Sequence, residues 1–229
     1  MSNSNELLSK LNSFLQLIGA EYVVCGGHAI DLFIGQKTRP HKDLDISMFW
    51  NDRDQVINYL LRLDWMVFEP VGTERLHRIR NVVNQQRLKS NIWCILPGNQ
   101  HYQIIEHNDD MYSVTHDDNE QTELDYIEIL FNRQENGYFL YSRNRDVKRA
   151  MDMAILHNHG IPYLAPEIVL LYKSTSPDAF GNQGDFSITI PLLSQNRKNW
   201  LLEALKTMYP NGHIWLNPCD ILRVKLARS

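Results

Sequence analysis

Two carboxylates set two residues apart in a short apolar run constrain this chain more than any other feature. Residues 25–48 read "CGGHAIDLFIGQKTRPHKDLDISM". Asp is a poor strand former, and like charges on one strand face repel. Side chains alternate along a strand, so Asp43 and Asp45 face one way while Leu44 and Ile46 face the other. A fold that keeps this strand must bury the leucine and isoleucine and give the two acids a positive partner.

The segment just before it suggests what that partner serves. "EYVVC" reads as a short strand ending at Gly26-Gly27, and residues 28–34 suit a short helix closed by Gly35. Residues 38–42 read as a loop around Pro40. Parallel carboxylates form an oxygen site for Mg²⁺, one ion or two, and two ions can clamp the oxygens of a phosphoryl transfer. Glycines let backbone approach a phosphate closely, and the N–H groups opening a helix favour anions. Gly-Gly and Asp-x-Asp are each weak signals alone. Strand, Gly-Gly, helix, loop and Asp-x-Asp in that order are far more specific.

The first 70 residues read α-β-α-β-α-β, with a capping box expected from Asp52 and Gln55. "NIWCIL", "YQIIEH", "LDYIEILF" and "YFLYS" follow as strands, so an α/β (α+β) mixed sheet with packed helices is expected. From about Asn144 the pattern turns helical, through "PEIVLLYKS" and the amphipathic "RKNWLLEALKTM", with a last helix expected in "NPCDILRVKLARS". We expect a nucleotide-handling domain over residues 1–145 and a helical C-terminal part over 146–229 that closes one wall of a cleft.

Composition excludes several classes. A net charge of -4 gives no global basic field for nucleic acid. Cys25, Cys94 and Cys219 are far apart and odd in number, which argues against a disulfide scaffold or zinc finger and for reduced thiols in the cytoplasm. The sequence has no signal-peptide pattern and no apolar run long enough to span a membrane.

Gly26-Gly27, Ala29-Ile30-Asp31, Gly35, Thr38-Arg39, His41 and Asp43-Leu44-Asp45 together resemble the aminoglycoside 2''-nucleotidyltransferase-like family, within the DNA polymerase β-like nucleotidyltransferase superfamily. The likeness extends through "YLAPEIVLLYKS" and "WLLEAL". It implies transfer of a nucleoside monophosphate from an NTP, expected to be ATP, to a hydroxyl of a small molecule such as an aminoglycoside, with release of pyrophosphate. Asp43 and Asp45 would hold Mg²⁺, and Gly26, Gly27 and His28 would face the triphosphate. Many members of the wider superfamily carry Ser where this chain has Gly27.

The third carboxylate implied by the resemblance is Glu128, in Ile127-Glu128-Ile129, as metal ligand or as base for the acceptor hydroxyl. Asp125 is the rival, and on a regular strand it faces the opposite way; Glu106 is a more distant alternative. Lys173 reads either as a surface lysine or as a ligand of the triphosphate. Arg39 is expected at a phosphate or a carboxylate, His41 in an orienting hydrogen bond, and Asp31 bonded to the loop near Arg39. Residues 106–128 hold nine acids and no Lys or Arg, either a solvated face or a negative lip for a cationic acceptor. Arg75, Arg78, Arg80, Arg87 and Lys89 stand against the single acid Glu74, which suits a triphosphate or an RNA backbone. Rival functions are a toxin-type nucleotidyltransferase acting on tRNA or protein, and a noncatalytic nucleotide-binding protein.

Overall fold

A computed structural model describes residues 3–72, 75–83, 89–99, 101–117 and 119–216. The elements run α1 (Asn3–Gln16), β1 (Tyr22–Val24), α2 (Gly26–Ile34), β2 (Asp45–Phe49), α3 (Arg53–Arg62), β3 (Met66–Gly72) and β4 (Arg75–Ile79). Then come β5 (Asn91–Ile95), β6 (Tyr102–Glu106), β7 (Met111–His116), β8 (Tyr126–Glu135), β9 (Tyr138–Leu140) and β10 (Lys148–Ala150). The chain ends through α4 (Met151–Ala154), β11 (Ile155–Asn158), β12 (Ile161–Leu164), α5 (Pro166–Lys173), α6 (Asn182–Thr189) and α7 (Gln195–Met208). This is an α+β fold with a mixed sheet and a helical C-terminal part. Two compact units are formed, one from residues 1–24 and 39–134, the other from 25–38 and 135–229.

In the first unit the strand order is β1-β2-β8-β5-β3-β4-β7-β6. β2 and β8 run parallel, and the other neighbours in this series are antiparallel. Alternation sorts the side chains into two faces. Ile46, Met48, Ile92, Cys94, Ile127, Ile129 and Phe131 are all buried on one of them. Helices α1 and α3 add their own buried stripes, Leu7, Leu11 and Leu15 with Val56, Ile57 and Leu60. Phe14 of α1 meets Tyr59 and Trp65 at centroid distances of 5.9 and 5.5 Å. The opposite face carries an aromatic cluster of Phe68, Tyr102, Tyr112 and Tyr126, with Trp93 packed against it.

The second unit is built on α5, α6 and α7 around Leu170, Leu171, Phe186, Leu201, Leu205 and Trp215. It also holds two antiparallel pairs, β9–β10 and β11–β12. Strands in 148–164 replace the uniform helix expected after Asn144. The β11–β12 hairpin turns through His159 and Gly160, both at positive φ (50° and 79°), a conformation that glycine adopts without strain. The strands β4 and β7 were hidden in the sequence under the basic and acidic runs.

The expected capping box of α3 does not form. Asp52 makes no side-chain capping bond, and the Gln55 amide donates instead to the Ile18 carbonyl at 2.7 Å. The last helix expected in residues 217–229 lies outside the described residues, as do Cys219, Glu74 and Arg87. Cys25 and Cys94 are free and buried. Among the described residues, no helix is long and apolar enough to cross a membrane.

Candidate active site

The acids of the first unit are arranged by one register. β2 begins at Asp45, and Asp43 lies two residues earlier, exposed, with Leu44 fully buried between them. In the parallel pair, Asp45 stands directly opposite Glu128. Paired residues point to the same face, so these two half-buried carboxylates are neighbours. The Glu128 amide donates to the Leu44 carbonyl at 3.0 Å, which locks the start of the pairing. The donor set is entirely carboxylate oxygen, the kind Mg²⁺ prefers.

Asp125 precedes β8 and is buried; burial raises its carboxyl above the ordinary value. The Gln121 amide reaches one of its oxygens at 3.4 Å, and its carbonyl accepts from Leu96 at 2.8 Å. Glu106 lies on β6, at the far end of the strand order from β2, and accepts from the Tyr112 hydroxyl at 2.8 Å.

Several residues around the acids carry no motif in the sequence. Asn91 of β5 donates from Nδ2 to Glu128 Oε1 at 2.9 Å. Trp93 is the antiparallel partner of Glu128 and meets Tyr126 edge-on at 6.0 Å. Tyr126 stacks on Tyr102 at 4.5 Å, and the Tyr102 hydroxyl donates to the Lys42 carbonyl at 3.1 Å. Burial pushes this hydroxyl far above the ordinary tyrosine value, and Asp43, Asp125, Asp117 and Asp45 add to the shift. The carboxylates and the aromatic cluster therefore share one face. The alternation in "NIWCI" puts Asn91 and Trp93 on one side, but only the β5–β8 pairing shows which side that is.

Arg39 is half-buried, and its Nη1 donates to the Pro40 carbonyl at 3.1 Å. His41 is buried, and its carbonyl accepts from Gln121 at 2.8 Å. The acidic run begins on the β6–β7 hairpin, and several of its acids are engaged in ion pairs. Asp110 binds Arg80 of the basic segment at 2.6 Å, Asp117 binds His101 at 3.1 Å, and Glu123 binds Lys10 at 3.1 Å.

In the second unit, Gly26 and Gly27 form the first turn of α2, with Gly26 at φ 59°. His28 follows, buried, and the Cys25 thiol makes no capping bond. Asp31 Oδ1 accepts from the Thr38 amide (2.9 Å) and hydroxyl (2.6 Å), the loop bond expected for it. Lys173 ends α5 held between Asp185 at 3.0 Å and Asn182 Oδ1 at 2.9 Å. The Lys173 carboxylate partner was not anticipated from sequence.

Comparison with known proteins gives this arrangement a context. The solution structure of the antibiotic-resistance factor ANT(2'')-Ia is similar over 90% of this chain and 92% of its own, at 12% identity and TM-score 0.51. This likeness shows a shared fold. The lincosamide adenylyltransferase LnuA, in its lincomycin-bound crystal structure, is 16% identical over 80% of this chain and 96% of its own, at TM-score 0.45. No curated protein sequence matches the chain. The model of the aminoglycoside-2''-adenylyltransferase family matches residues 7–153, which is well over half of the chain and includes Asp43, Asp45 and Glu128, so the chain belongs to that family of nucleotidyltransferases.

Proposed function

We propose that the protein transfers the adenylyl group of ATP to a hydroxyl of a cationic, aminoglycoside-like antibiotic, with Mg²⁺ as cofactor and in the cytoplasm. The observation that carries this is the β2–β8 register, which pairs Asp45 with Glu128 and leaves Asp43 two residues upstream. Asp43, Asp45 and Glu128 would hold the metal. Mg²⁺, when bound, supplies positive charge at the phosphate oxygens and offsets the repulsion among these acids.

The chain's own residues do the rest. Glu128 accepts the proton of the acceptor hydroxyl. The hydroxyl oxygen forms a bond to the α-phosphorus, the bond to the bridging oxygen breaks, and pyrophosphate leaves. Gly26, Gly27 and His28 at the opening of α2, with Arg39 and Lys173, bind the triphosphate through backbone N–H groups and positive charge. We assign the chemistry to residues 1–145 and treat 146–229 as the helical C-terminal domain. A cationic antibiotic suits the acids of the β6–β7 region.

The test is Mg²⁺-dependent pyrophosphate release from each NTP with a panel of aminoglycosides, other hydroxyl compounds, tRNA and protein. Release with ATP and an aminoglycoside, abolished in a folded Asp45→Asn variant, is the expected result. Full activity in Asp45→Asn would sink the mechanism. Release only with tRNA or protein would favour a toxin-type enzyme, and ATP binding without any release a noncatalytic protein.

A further inference from the structure

Glu128 has an awkward task on its strand. Its carboxyl must stay beside Asp45, a like charge, although the last torsion of a glutamate is broad and lets the group swing. The structure meets this with a neutral donor. Asn91 stands opposite Leu130 in the β5–β8 pair, which makes it the diagonal neighbour of Glu128 on the same face. Diagonal neighbours are within reach for long polar side chains. The Asn91 amide does reach, with Nδ2 2.9 Å from Glu128 Oε1. The start of β5 is itself pinned, since the Ser90 carbonyl accepts from the Phe131 amide. Trp93, directly opposite Glu128, sets a bulky ring on the same face.

We infer that Asn91 is the positioning residue of Glu128; this rests on the assignment of Glu128 as the proton-accepting carboxylate. The bond to Oε1 fixes the rotation of the carboxyl and so the direction of both its oxygens. A lysine or arginine here would also hold the carboxyl, but it would neutralise charge needed for a cation and for the acceptor's proton. An amide orients without neutralising. Partners of this kind commonly matter by 10–100-fold in rate or affinity.

The test uses Asn91→Leu, which keeps the approximate volume and removes the donor, and Asn91→Gln, which keeps the amide. Asn91→Leu should lower kcat about 10–100-fold. KM for ATP and for the aminoglycoside should stay within about twofold, since uniform binding is untouched. Asn91→Gln should recover part of kcat. A ligand-free crystal structure of Asn91→Leu should show the Glu128 carboxyl turned from its present orientation. Parent-like kcat in Asn91→Leu, or a loss expressed in KM with the Glu128 carboxyl unmoved, overturns the inference. Glu128→Gln separates the two assignments. If it keeps the parent's kcat, the reading of Glu128 fails; if it is inactive while Asn91→Leu is fully active, only the role of Asn91 fails.

Discussion

Removing the Glu167 carboxylate should destabilise the second unit severely. Glu167 lies in the first turn of α5, fully buried. Its Oε1 accepts from Arg197 Nη1 at 2.5 Å and from Arg149 Nη2 at 2.9 Å. Arg149 belongs to β10 and Arg197 to α7, so one carboxylate ties three elements. The arginine side chains are only 9% and 13% exposed. Arg149 also donates to Asn196 Oδ1 at 3.0 Å and lies over the Trp200 ring at 5.3 Å, and Arg197 donates to the Met153 carbonyl at 3.1 Å.

Glu167→Ala would leave two buried guanidiniums with that carboxylate gone. Loss of one partner from a buried ion network costs about 3–5 kcal/mol. For a chain of this size each kcal/mol moves Tm by about 2–4 °C, so a fall of roughly 6–20 °C is expected. Thermal unfolding followed by circular dichroism measures it. Because two units need not melt together, amide exchange in α5 and α7 should be followed as well. Replacing all three residues at once with apolar side chains of similar volume should cost far less than Glu167→Ala, because no charge is left stranded. A Tm change within about 2 °C for Glu167→Ala, with unchanged exchange, would refute the reasoning and mean that solvent reaches the arginines; the scale is again that of.

Asp185, 1% exposed and 3.0 Å from Lys173, is a smaller case of the same kind. Asp185→Ala should lower Tm by several degrees, and adding Lys173→Met should restore part of it; an additive loss in the double variant would contradict a paired charge. His101 and Asp117 predict a pH effect. The Asp117 carboxylate, through its hydrogen bond, raises His101 above its ordinary value of 6.5, and His101 in turn lowers Asp117 from 3.8. The histidine's share of stability is complete below pH 6.5 and fades as pH rises through its raised folded value, while the aspartate's share fades as pH falls below 3.8. The pair is exposed, so the effect is best read as an NMR titration of His101, which should fall towards 6.5 in Asp117→Asn; an unmoved titration would exclude the pairing.

Local pattern carried much of the fold. Glycine stops, β-branched runs and helical spacing mark α1, β1, α2, β2, α3, β3, β5, β6, β8, β9, α5 and α7 in sequence. Charge obscured β4 and β7. Arg75 and Arg78 on β4 suggested a binding segment, and the acids flanking β7 suggested a lip, because solvent-facing strand positions tolerate charge of either sign. The Arg80–Asp110 ion pair depends on β4 lying beside β7, which no local signal gives. The site divides similarly. Asp43 and Asp45 announce themselves by parity, whereas Asn91 acquires its place only when β5 is set against β8.

That pairing is enforced from the other side of the sheet. Side chains alternate with period two, so a one-residue slip of β8 against β2 would set an isoleucine, Ile127 or Ile129, beside Asp45. It would also turn Ile127, Ile129 and Phe131, each at most 1% exposed, out of the core. At about 1.5–3 kcal/mol per buried side chain, the slip costs roughly 5–9 kcal/mol. That is comparable to the whole net stability of a typical domain, about 5–15 kcal/mol. The core stripe of β8 thus holds Glu128 beside Asp45, although the two acids repel. Substitutions in that stripe should therefore disturb the carboxylate geometry before they touch any residue of the site itself.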